Sequence, residues 1–125
     1  MRVATLAVLV LVAGCGGGTG AGAGGAYSCA DGVPDADGGT GMITRCMEIT
    51  GGTAQDLANN QANCAAAHWL FALAPCPRAG ALGGCRETLA GSTITSWQYT
   101  GTVSEIQMSC AQAASGGLPI QFVSP

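Results

Sequence analysis

Seven cysteines in 125 residues set the strongest limit on what this chain can fold into. Six of them, Cys29, Cys46, Cys64, Cys76, Cys85 and Cys110, are spread through roughly 80 residues, too few for a hydrophobic core to supply much stability alone. Large apolar side chains are sparse, and the aromatics number only two Trp, two Tyr and two Phe. Small exported domains make up for such a core with disulfides, each worth about 2–4 kcal/mol. The six cysteines therefore read as three bridges. Their spacing leaves all 15 possible connectivities open.

Local signals divide the region after Gly41 into strands and helices. Met42 to Ile49 alternates as a strand does, and Gly51-Gly52 ends it. Thr53-x-x-Asp56 has the form of a helix N-cap with an acid in the first turn, predicting a helix from Ala54 to Ala67 with Leu57, Cys64 and Ala65 on one face. Trp69 to Leu73 is a short apolar run that fits a buried strand, stopped by Pro75 and Pro77. Cys85 to Leu89 is a candidate strand, Gly91-Ser92 a hairpin turn, and Thr93 to Thr100 the clearest strand in the chain. Thr102-Val103-Ser104-Glu105 is a full capping box opening a second helix, with Val103, Ile106 and Cys110 as its apolar stripe. Gly116-Gly117 stops it. Leu118 to Val123 reads as a last edge strand, with Pro119 keeping it at the edge. The expected fold is α+β: a small disulfide-stapled domain with a short antiparallel sheet of about 3–5 strands and two helices packed on one face.

An order of residues recurs. Cys46-x-Glu48, Gly52-Thr53-x-x-Asp56 and Cys64-Ala65 are echoed by Cys85-x-Glu87, Gly101-Thr102-x-x-Glu105 and Cys110-Ala111. A duplication of that kind implies two strand-helix units in one layer pair.

The N-terminal segment is of another kind. Met1-Arg2 carries one positive charge, and Val3 to Val12 is apolar apart from Thr5. That run suits a secretory h-region and falls well short of the roughly 20 residues of a membrane-spanning helix. Val12-Ala13-Gly14-Cys15 resembles the bacterial lipobox: an aliphatic residue, two small residues, then Cys. The resemblance implies cleavage after Gly14 and lipidation of Cys15, whose acyl chains would give stable anchoring at about 0.8 kcal/mol per buried CH₂. It also accounts for the odd cysteine, since removing Cys15 from the count leaves six that can pair. The expected organisation is a signal peptide at 1–14, a lipidated Cys15 with a flexible Gly/Ala/Asp-rich tether over 15–41, and a Cys-rich domain over 42–125.

Cys46 to Gly117 also resembles a group of small uncharacterised Cys-rich exported proteins and lipoproteins of myxobacteria and their relatives. Cys46, Glu48, Gly51 or Gly52, Cys64, Trp69, Cys76-Pro77, Gly84-Cys85, Trp97 with Tyr99, and Cys110 carry that likeness. Where the group ends its first helix in Gly-Gly, this chain has Ala67-His68. The group has no established activity, so the likeness implies class and location alone.

Charge excludes some functions. There is no lysine, and after cleavage Arg45, Arg78 and Arg86 face seven acids. Such a chain cannot follow a phosphate backbone, so no nucleic-acid partner is expected. The expected membrane contact is lipid through Cys15 alone.

Each candidate chemistry has a plainer reading. Cys64 and His68 followed by Cys76 and Cys85 could be drawn as a zinc site, but export favours disulfides. Asp31, Asp35 and Asp37 with Gly38-Gly39 hint at a calcium loop, but Asp35-Ala36-Asp37-Gly38 lacks the third oxygen ligand and the closing Glu, so a solvated acidic linker fits better. Glu48 and Glu87 could be drawn as a hydrolase carboxylate pair, yet exposed strand acids bonded to Arg45 or Arg86 fit a thin domain better. No metal, cofactor or catalytic residue is expected. Trp97 and Tyr99 share a strand face: exposed, they would be a ligand platform; buried, they are core. The sequence thus points to a non-enzymatic lipoprotein of the bacterial cell envelope, in the outer membrane if the cell is Gram-negative. Its role would be structural or adhesive, with an envelope or extracellular protein or glycan as partner. The alternatives are a carbohydrate- or protein-binding module on the Trp97–Tyr99 face and a small carboxylate hydrolase.

Overall fold

A computed structural model describes residues 25–32 and 41–125. Six strands and two helices follow in the order β1 (Ala26–Ala30), β2 (Arg45–Gly51), α1 (Ala54–Ala66), β3 (Leu70–Ala72), β4 (Gly83–Leu89), β5 (Ser92–Gln98), α2 (Val103–Ala114) and β6 (Ile120–Val123). The strands form one sheet, β3-β1-β2-β5-β4-β6, with every pairing antiparallel. The α+β class and the three staples are present, but the sheet exceeds the three to five strands expected.

The added strand is β1. Its neighbourhood is poor in strand formers and was expected to be irregular tether. It is instead an inner strand, paired with β2 on one side and β3 on the other. Tyr27, Ser28, Cys29 and Ala30 are all buried. Pairing on both edges overrides weak local propensity, as is common for strands. The sheet therefore takes in Ala26–Ala30, ahead of the Met42 at which the domain was expected to start. Asp31 closes the connection back to β2, accepting from the backbone N–H groups of Thr44 and Arg45 and from the Thr44 hydroxyl. Asp35 and Asp37 lie outside the described residues.

Register explains the staples. Phe71, Cys29, Met47, Ser96, Cys85 and Phe122 are successive partners across all six strands, so their side chains share one face. Cys29 bonds Cys64 of α1, and Cys85 bonds Cys110 of α2. Both helices are thus bound to the same face, as expected. On the opposite face Ala30, Cys46, Trp97, Gly84 and Val123 form the adjacent row. There Cys46 bonds Cys76, holding the segment between β3 and β4 against the sheet.

Two ββαβ units make up this fold. The strand order is symmetric about the β2–β5 pair, with β1 matching β4, β2 matching β5 and β3 matching β6. Both helices open on a complete capping box, Thr53 with Asp56 and Thr102 with Glu105. Met47 and Ser96 stand equally far before these capping threonines and are partners in the β2–β5 ladder. A local dyad therefore passes between them, through the sheet. The repeat in the sequence holds for the Gly-Thr caps and the helical cysteines. It fails at Cys46 and Cys85, because the staple partner matching Cys85 is Cys29.

Candidate functional site

The segment covering the second face carries a polar cluster. Glu48 points to this face from β2, between the paired residues Ser28 and Thr95. It is buried, not the exposed strand acid expected. Its Oε2 accepts from the Cys76 backbone N–H at 2.9 Å, and Arg78 grips both carboxylate oxygens at 2.8 and 2.9 Å. Neither Arg45 nor Arg86 takes part. The hydrogen bond from Arg78 to Glu48 raises the Arg78 pKa above its ordinary value. Such two-pronged pairing fixes geometry as well as charge.

Arg78 also lies 4.1 Å above the centre of the Trp97 ring. Trp97 is 1% exposed, and its indole N–H is buried without an acceptor. Tyr99 is half-buried and donates its hydroxyl to the Pro77 carbonyl at 2.6 Å. Burial pushes the Tyr99 pKa up to about 12. Trp97 is thus a core ring roofed by Arg78, and Tyr99 is a clasp on the same loop. Trp97 is therefore core rather than an exposed platform, while Tyr99 is half-buried.

Glu48 and Glu87 do not meet. Alternation along the paired strands sets Glu48 beside Thr95 and Arg86 on the loop-covered face, and Glu87 beside Ile94 on the helix face. Both oxygens of Glu48 are already engaged, so the arrangement offers no carboxylate pair across a cleft. The cysteines of the drawn zinc set, Cys64, Cys76 and Cys85, are each bridged to a different partner. Their distant neighbour His68 is exposed and stands just beyond the end of α1.

The helix face holds a cavity of about 170 Å³ beneath α1. Tyr27 and Cys29 of β1 and Met47 and Ile49 of β2 make its floor; Trp69 and Phe71 close one side; Asn60, Asn63, Cys64 and Ala67 form the roof. The Tyr27 and Phe71 rings are 5.8 Å apart and tilted by 39°. Asn60 donates one amide to the Tyr27 hydroxyl at 3.1 Å and to the Asp56 carbonyl at 2.8 Å. Burial raises the Tyr27 pKa above its ordinary value. Arg45 sits 5.2 Å from the Trp69 ring centre, outside the cavity wall. The sequence carried one sign of this space. α1 reads AQDLANNQANCAA, and among its side chains only Cys64 is fully buried.

No protein-family model, curated protein or solved structure matches the chain. Cys15 and Gly14 lie outside the described residues, and no helix among the described residues is long and apolar enough to cross a membrane.

Proposed function

We propose that the chain is an exported lipoprotein of the bacterial cell envelope, anchored by acyl chains on Cys15, with a structural or interaction role and no catalysis. The observation that carries this reading is the pairing of Cys29 with Cys64, Cys46 with Cys76 and Cys85 with Cys110. Six of the seven cysteines are used within the domain, which leaves Cys15 as the one without an intramolecular partner. Three disulfides fit an oxidising, exported setting. Because β1 opens the domain at Ala26, the spacer between anchor and domain is the Gly/Ala-rich stretch from Gly16 to Gly25. A non-catalytic role is supported by the engagement of Glu48 and by the separation of Glu87 from it. The partner would be an envelope protein or glycan.

Intact mass of the membrane-extracted protein tests the proposal. The expected species carries a diacylglycerol and a further acyl chain on Cys15. Without reduction it takes up no alkylating reagent; after reduction all six domain cysteines do. An unlipidated N-terminus, or free thiols before reduction, overturns it.

A further inference from the structure

We infer that the cavity beneath α1 is a binding site for a small uncharged aromatic molecule. The two ββαβ units share one plan, and each leaves a space against its helix: about 170 Å³ beneath α1, and about 210 Å³ beside α2, where the lining includes the carboxylate residue Glu105. In the second unit Phe122 of β6 packs directly over Gly83, where even a Cβ would collide with its ring. Ile106 is buried from α2 there as well. In the first unit the strand matching β4 carries the Tyr27 ring, and Phe71 stands off from it. α1 has Leu57, half-buried, at the position matching Ile106, but toward the cavity it presents only Asn60, Asn63 and Cys64, followed by Ala67. The result is about 170 Å³ that the chain does not fill with its own atoms.

Volume and lining together define the occupant. An enclosed apolar cavity of about 150 Å³ takes up benzene, and the space here, which opens to solvent at Asn63 and Ala67, is of similar size. No charged residue lines this one, so an ionised ligand would lose its hydration without a partner. Tyr27, Trp69 and Phe71 give three aromatic walls, which favour a flat ring through tilted contacts. Asn63 is exposed at the roof and can meet one polar group of the guest. The neighbouring Ala67 is also exposed, so entry lies at the C-terminal end of α1. This inference is independent of the lipid anchor.

The test uses indole with the full-length, disulfide-bonded chain carrying ¹³C-methyl methionine. Met47 lines the cavity, whereas Met42 and Met108 are 81% and 63% exposed and serve as internal references. Indole is expected to shift the Met47 methyl saturably and leave those of Met42 and Met108 in place. Ala67→Phe, a change at an exposed position on the cavity roof, should weaken binding at least about tenfold. Ser109→Phe, at an exposed position on α2, should leave it unchanged. A Met47 signal that does not move up to the solubility of indole overturns the inference. So does parallel movement of Met42 and Met108, or a Met47 titration indifferent to Ala67→Phe.

Discussion

The two ββαβ units differ most in how each holds its helix. α2 buries Ile106 as well as Cys110 and is flanked by β6, whose Phe122 fills the space over Gly83. α1 buries Cys64 alone, with Leu57 only half-buried at the position matching Ile106, and stands over an apolar cavity, whereas the space beside α2 has Glu105 in its lining. The first unit also carries the long connection from β1 to β2, while β4 and β5 are joined by a turn at Ala90-Gly91. A shared topology thus supports two helices of unequal independence. The second is held by packing and a bridge, the first mainly by its bridge.

Removing the bridges one at a time tests that contrast and should give the largest effects. The sequence separations are 35, 30 and 25 residues. Loop-closure entropy assigns each a nearly equal contribution of about 3–4 kcal/mol. Unequal outcomes must then come from the folded state. Cys29→Ala with Cys64→Ala should release α1 locally, with fast hydrogen exchange over Ala54–Ala66 while β4 and β5 stay protected. Cys85→Ala with Cys110→Ala should lower the urea midpoint yet leave α2 exchanging with the whole domain. Equal protection of α1 and α2 in their respective variants breaks the comparison.

The matched glutamates give the next effect. Glu48 is gripped by Arg78 and the Cys76 N–H, whereas Glu87 makes no ion pair among the described residues. Breaking a fully buried pair costs about 3–5 kcal/mol. The Arg78 side chain is 42% exposed, so solvent screening reduces the figure for Glu48→Gln to about 2 kcal/mol. Glu87→Gln should fall within about 0.5 kcal/mol of the parent. Chemical denaturation of the two variants side by side checks the difference.

Acid should act on the first unit. Burial opposes ionisation of Asp31, but hydrogen bonds from Thr44 and Arg45 outweigh it and hold the carboxyl below its ordinary 3.8. The hydroxyl and backbone N–H of Thr53 hold Asp56 below it too. A carboxylate whose pKa is lower in the folded state stabilises fully above its ordinary value. That contribution is lost as pH falls through the folded value. Urea midpoints measured from pH 5 down to pH 2 should therefore decline below about pH 4. Asp31→Asn should flatten the decline, because the amide keeps an acceptor for Thr44 but no longer titrates. An unchanged slope removes Asp31 from the account.

Legibility followed the range of the forces involved. Both helix starts could be read because a capping box lies within four residues, and both are formed. β5 was readable from its own β-branched and aromatic residues. β1 was not, because its stability comes from partners on both edges and from Cys64 far along the chain. Trp69 to Leu73 suggested a buried strand from its apolar content, but β3 is a three-residue edge with Leu70 exposed. The repeat was visible at its caps and misaligned at its strands for the same reason that β1 was missed. Glu48 with Arg78, 30 residues apart, left no local trace.

The smallest effect lies where the helices end. α1 closes with the Trp69 N–H bonded to the Cys64 carbonyl and the His68 N–H bonded to the Ala65 carbonyl. That closure places one residue in the left-handed region, usually glycine. Here it is His68, at φ 57°, which explains how Ala67-His68 serves where Gly-Gly would be ordinary. α2 gives the corresponding turn to Gly117, at φ 89° with open space around it. A side chain in this region costs about 1 kcal/mol relative to glycine, partly offset by the extra freedom glycine gives the unfolded chain. His68→Gly should therefore stabilise by about 0.5 kcal/mol, and Gly117→Ala should destabilise by about 1 kcal/mol. If His68→Gly instead destabilises, the imidazole makes a contact that holds α1 to the sheet, and the first helix depends on more than its bridge.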